Sequence, residues 1–127
     1  MSKQIVKTDK APLPVAPYSQ ATIANGMIFT SGQLGIPAGQ SELVSGGIQA
    51  ETRQALENIR AVLEAAGSSL ANVLKVTVFL DDINDFAAMN EIYSQFFTEN
   101  HPARSAFQVG KLPRNAKVEI ETVALLE

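Results

Sequence analysis

The chain has no cysteine and a single histidine, His101. Without thiols, a disulfide framework, thiolate zinc sites and cysteine nucleophiles are all excluded. One imidazole leaves no multi-histidine metal site, and no metal is expected. Charge of one sign is also lacking: 10 Lys and Arg stand against 13 Asp and Glu, a net of −3. The broad basic footprint used on nucleic acid or anionic membrane is therefore missing. No apolar run approaches the ~18 residues of a membrane span. The opening MSKQIVKTDKAP carries lysine without an apolar stretch behind it, so no export signal is expected and the expected setting is cytoplasmic.

What is present is an ordinary globular composition, 46% hydrophobic and 18% charged over 127 residues. That length predicts one domain spanning 1–127, large enough for a real core. Three prolines within 11–17 make a stiff extended arm that positions Tyr18-Ser19-Gln20. Asn25-Gly26 between residues 20–24 and 27–31 predicts a two-residue hairpin. Residues 34–47 read as a Gly-, Ser- and Pro-rich loop with a short strand at Glu42–Val44.

From 48 to 66 the apolar residues form a helical stripe, and Gly67 stands where a left-handed C-terminal residue belongs. Residues 73–80, VLKVTVFL, predict a strand buried on both faces. A second helix is expected from Asp85, its N-cap, with Phe86, Met89, Tyr93, Phe96 and Phe97 at helical spacing. Two last strands, at about 104–111 and 117–125, are expected to meet around Leu112–Asn115 as a hairpin.

This order predicts an α+β fold in which two helices cover one face of a single mixed sheet. With Leu74, Val76, Val78 and Leu80 turned to the helices, the other face carries Val73, Lys75, Thr77 and Phe79. Left wet, that face is a large apolar patch, and another copy of the chain is the simplest cover. A homo-oligomer with packed sheets is the expectation.

Phosphate-binding glycine loops, HExxH and GxSxG are all missing from the sequence. His101, followed by Pro102, reads better as a solvated or structural side chain than as part of a triad. Strand alternation puts Arg104, Ala106 and Gln108 on one face, and Glu119 and Glu121 on the face opposite Val118, Ile120 and Thr122. If the last two strands pair as a hairpin, Arg104 could share the side of Glu119.

Two readings of that pair are open. One is a structural ion pair or solvated rim charges. The other is a guanidinium fork that grips a substrate carboxylate beside a glutamate that orients water or moves protons. Tyr18, Ser31, Gly32 and Asn90 are weaker candidates singly: a surface aromatic or pocket wall, a hairpin end or ligand donors, a half-buried amide satisfying backbone.

In combination, several segments resemble the RidA/YjgF family of reactive-intermediate deaminases. They are Ala16–Ala21 (APYSQA), Phe29–Gln33 (FTSGQ), Gln49–Gln54 (QAETRQ), Lys75–Leu80 (KVTVFL), Asn90–Tyr93 (NEIY), Pro102–Ser105 (PARS) and Val118–Glu121 (VEIE). The similarity runs end to end, and the order and spacing of the segments make it specific.

The resemblance implies a chorismate-mutase-like fold and a homotrimer, with an inner β-barrel and clefts between subunits. It implies hydrolysis of 2-imino and enamino acids, such as 2-iminobutanoate and 2-iminopropanoate, to 2-oxo acids and ammonia, without cofactor or metal. Carried over by position, Arg104 grips the substrate carboxylate and Glu119 activates water. Gly32 and Ala106 line the site through backbone, and Tyr18, Ser31 and Asn90 match further cleft positions, Tyr18 from the neighbouring chain. Many relatives have cysteine where this chain has Ala106, which removes any thiol-based side activity. Two rival readings remain beside the deaminase: a 2-oxo acid sensor or regulator of amino-acid metabolism, and an endoribonuclease. The acidic balance weighs against the second.

Overall fold

A computed structural model describes residues 2–127. A strand that the sequence pattern does not announce, β1 (Gln4–Val6), opens the chain and pairs antiparallel with β2 (Ala21–Ala24). Only Val6 of its three residues is buried, so it has no period to read. β2 turns into β3 (Met27–Thr30) through Asn25 and Gly26, whose φ values of 53° and 73° are the left-handed pair that this hairpin turn demands.

Helix α1 (Gly47–Ala65) follows the long loop. Its inner face, Ala55, Leu56, Ile59, Val62 and Leu63, is wholly buried, each large side chain contributing roughly 1.5–3 kcal/mol. It ends as its composition predicts. Gly67 adopts φ 90°, its N–H reaches the Glu64 carbonyl at 3.0 Å, and the Ser68 N–H reaches the Leu63 carbonyl at 2.8 Å.

Then come β4 (Val73–Leu80), α2 (Phe86–Phe96), β5 (Ala103–Gln108) and β6 (Val118–Leu125). The six strands make one mixed sheet in the order β1-β2-β3-β6-β4-β5. Both helices pack on one face, over Val76, Val78, Leu80, Ile120 and Ile28. Among the described residues no helix is long and apolar enough to cross a membrane.

Four local expectations are corrected. The last two strands are not a hairpin: β4 lies between them, parallel to β5 and antiparallel to β6. The β4–α2–β5 segment is a crossover, for which parallel strands need an intervening helix. β4 is not buried on both faces, because Leu74 and Lys75 are exposed and Thr77 and Phe79 only half-covered.

The β4 faces also change at its start. Val73, not Leu74, points into the core, since Val73 pairs with Ala124 and Lys75 with Val123, leaving Leu74 as the extra residue of a bulge. Finally, Glu42–Val44 form no strand; the Val44 N–H bonds the Gly35 carbonyl at 2.9 Å inside the loop. Asp85 does stand at the α2 N-cap, but its side chain makes no capping bond. Asp82 instead caps the preceding turn by accepting from the Asn84 N–H at 2.9 Å.

The loop from β3 to α1 is held by the Asn58 amide, which donates to the Leu34 and Ile36 carbonyls at 3.2 and 2.8 Å, and by one close approach to the helix. A Cβ on Gly35 would lie 2.6 Å from the Glu51 Cα and 2.8 Å from its carbonyl oxygen, both helix backbone that yields little. Gly35→Ala is expected to lower stability by about 1–3 kcal/mol, measured as a lower urea midpoint at unchanged slope.

Candidate active site

Arg104 stands on β5 beside Val76 of β4, and neighbouring residues on paired strands share a face. Its side chain therefore turns to the helix side and lies along α2. Phe86, Asn90 and Tyr93 occur at i, i+4 and i+7 of that helix, one stripe facing the strand. Asn90 Oδ1 accepts from Arg104 Nη1 at 2.7 Å. The guanidinium carbon is 4.6 Å from the Tyr93 ring centroid and 5.4 Å from that of Phe86.

Asn90 thus satisfies a cation rather than backbone. Among the described residues the one ion pair is Arg60–Glu57, so Arg104 carries its charge without a carboxylate. Tyr93 is buried and its hydroxyl has no partner among the described residues; burial pushes the phenol pKa up, against a smaller opposing pull from Arg104. A shallow pocket of about 290 Å³ is lined by Arg104, Asn90, Tyr93, Ser94 and His101 among others. His101 itself is exposed there. Ala106, two residues along the same face, is half-buried against the core.

Glu119 stands on β6 beside Phe79. Its carboxylate lies directly over Gly32, where an added Cβ would collide with it and push the side chain from this position. Burial first, and the nearby Glu121 carboxylate second, push the Glu119 pKa above the ordinary carboxylate range. A cavity of about 570 Å³ opens in front of it. Its walls include Ser31, Gly32, Leu34, Ile36, Arg114 and, from the proline arm, Leu13, Val15 and Tyr18.

The arm is tied down by Gln20, which is 1% exposed. Its Oε1 accepts from the Thr8 N–H at 2.7 Å, and its Nε2 donates to the Thr8 and Pro12 carbonyls at 2.9 Å each. The Ser31 hydroxyl adds a bond to the Ser19 carbonyl at 2.5 Å. Tyr18, 53% exposed, is left projecting beside Glu119.

The candidates therefore fall into two groups. Tyr18, Ser31, Gly32 and Glu119 share one cavity, while Asn90, Arg104 and Ala106 share the other side. Val76 and Phe79, their neighbours on β4, are three positions apart, and alternation sends them to opposite faces. Arg104 does not share the side of Glu119, as the terminal hairpin would have allowed.

Gln20 and Arg114 were not among the sequence candidates. A lone amide opening a strand just after a proline arm is a signal for the first. Arg114, at φ 62° with its Nη1 donating to the Ser41 carbonyl at 2.7 Å, leaves no trace in composition.

The family model described as Endoribonuclease L-PSP matches residues 8–126. The human 2-iminobutanoate/2-iminopropanoate deaminase is 48% identical over 123 residues, 97% of this chain and 90% of the human protein. The chain belongs to the RidA family. Two solved structures of the family have nearly the same fold. A putative endoribonuclease from Thermotoga maritima has TM-score 0.94 at 48% identity, covering 98% of each chain. RidA from an Antarctic Psychrobacter has TM-score 0.92 at 44% identity, covering 96% of this chain and 98% of that one.

In this RidA-family chain one buried amide makes most of the side-chain hydrogen bonds that hold the proline arm. Gln20→Leu is expected to leave the backbone groups of Thr8 and Pro12 unpaired and to lower stability by about 1–3 kcal/mol. Limited proteolysis should then cut between Thr8 and Tyr18 well before the rest of the chain is attacked.

Proposed function

We propose that the chain hydrolyses 2-imino acids, including 2-iminobutanoate and 2-iminopropanoate, to 2-oxo acids and ammonia in the cytoplasm. The observation that carries this reading is a half-buried carboxylate of raised pKa at an open cavity, together with an arginine that has no carboxylate partner among the described residues. The name of the human relative supports the substrate class.

In this reading Arg104 binds the substrate carboxylate and Glu119 acts on water. Their positions on opposite faces favour a site shared between copies, Arg104, Asn90 and Ala106 from one and Tyr18, Ser31, Gly32 and Glu119 from the next. The open sheet face, where Phe29, Phe107, Leu74 and Leu125 are all more than 40% exposed, supplies an apolar surface for such packing. A homotrimer closes that arrangement.

The chemistry asks little of the protein. The imine carbon is already electrophilic, and placement of water and carboxylate removes much of the entropic barrier. Glu119 takes a proton from water as its oxygen bonds to the C=N carbon and returns that proton to the nitrogen; it then takes the carbinolamine hydroxyl proton and passes it to the amine as the C–N bond breaks, leaving the 2-oxo acid and ammonia. General acid–base help of this kind is typically worth about 10²–10⁴-fold.

A dehydratase acting on threonine generates 2-iminobutanoate, and added protein should speed the appearance of 2-oxobutanoate. Arg104→Ala should abolish that acceleration, and Glu119→Gln should lower kcat more than binding. Only ionised Glu119 accepts a proton. The rate should therefore fall as pH drops through its raised pKa, a limb that Glu119→Gln lacks. Wild-type rates for purified, assembled Arg104→Ala would end the proposal. Tight 2-oxobutanoate binding without acceleration would make the protein a sensor, and RNA cleavage with a steep salt dependence would favour the endoribonuclease.

A further inference from the structure

The α2 stripe that holds Arg104 does more than pack. We infer that Tyr93, with Phe86, is a positioning residue for anion recognition: its aromatic face fixes the plane of the Arg104 guanidinium so that the free edge of the fork meets a carboxylate. The inference rests on reading Arg104 as the carboxylate clamp.

An arginine side chain on an edge strand has several rotatable bonds and loses that freedom only if something holds its head group. Here Asn90 takes one N–H, and the rings of Tyr93 and Phe86 lie within the roughly 6 Å at which a cation over a ring is attracted. Aromatic faces suit this task better than a carboxylate. A carboxylate would neutralise the charge and occupy the donors, whereas a ring face leaves both for the ligand. Tyr93 meets Arg104 through its ring and not its hydroxyl, which bonds nothing among the described residues.

The test is 2-oxobutanoate binding by calorimetry, with kcat and KM for 2-iminobutanoate measured beside it. Tyr93→Leu should weaken binding about 3- to 30-fold, the range of a partly desolvated cation–ring contact, and raise KM by the same factor with kcat nearly kept. Tyr93→Phe should rescue both to within about threefold and unfold no earlier than wild type, since it deletes an unsatisfied hydroxyl. A merely structural role would lower the active fraction, and so kcat, and leave KM alone.

Phe86→Leu, on the other ring, is expected to weaken binding in the same way and serves if Tyr93→Leu does not fold. Arg104→Ala separates the two levels. If it binds 2-oxobutanoate like wild type, the clamp itself is wrong. If it loses binding while folded Tyr93→Leu or Phe86→Leu keeps wild-type affinity, the clamp stands and the positioning role is overturned.

Discussion

The position of β4 between β5 and β6 is the constraint on which the rest depends. It is paired on both edges, with Val76, Val78 and Leu80 wholly buried under the helices. Pairing on both edges satisfies its backbone and fixes two registers at once, Val76 with Arg104 and Phe79 with Glu119. Because side chains alternate, that pair of registers commits the guanidinium to one face and the carboxylate to the other. A slip of one residue in either pairing would turn a polar group into the core, so the separation is as firmly specified as the core itself.

Each half is then built by a different device. On the helix side, a stripe at i, i+4 and i+7 of α2 surrounds the Arg104 head group with two rings and an amide. On the open side, the space above Gly32 admits the Glu119 carboxylate, and partial burial beside Glu121 makes its charged form less favourable. The proline arm walls that cavity, held by both ends of the Gln20 amide and by the Ser31 hydroxyl. Among the described residues, neither Arg104 nor Glu119 forms an ion pair.

Much of the secondary structure was legible in the residues. Asn25-Gly26 announced its hairpin, Gly67 its helix end, and the spacing of Leu56, Ile59, Val62 and Leu63 a buried helical face. What misled was strand pairing. Consecutive strands at 104–111 and 117–125 suggest a hairpin, yet the β4–α2–β5 crossover places β4 between them. Parity reading failed where a bulge intervened, at Leu74. Of the site residues, the chain announced Arg104 and Glu119 as types on alternating strands, but Asn90 as an ordinary amide and Tyr93 as core.

The sequence by itself determined which residues face the core in the helices and in the regular stretches of the longer strands, because burial there follows a local period of 2 or 3.6; the bulge at Leu74 and the short β1 fell outside that rule. It also excluded thiol and multi-histidine chemistry by composition alone. Which strands became neighbours was decided only by tertiary structure. So were the face Arg104 took relative to Glu119, the seat of the Glu119 carboxylate above Gly32, and the stapling of the arm by Gln20. Those outcomes depend on contacts between segments far apart in the chain, where hydrogen-bond satisfaction and packing choose among pairings that local pattern leaves equally good.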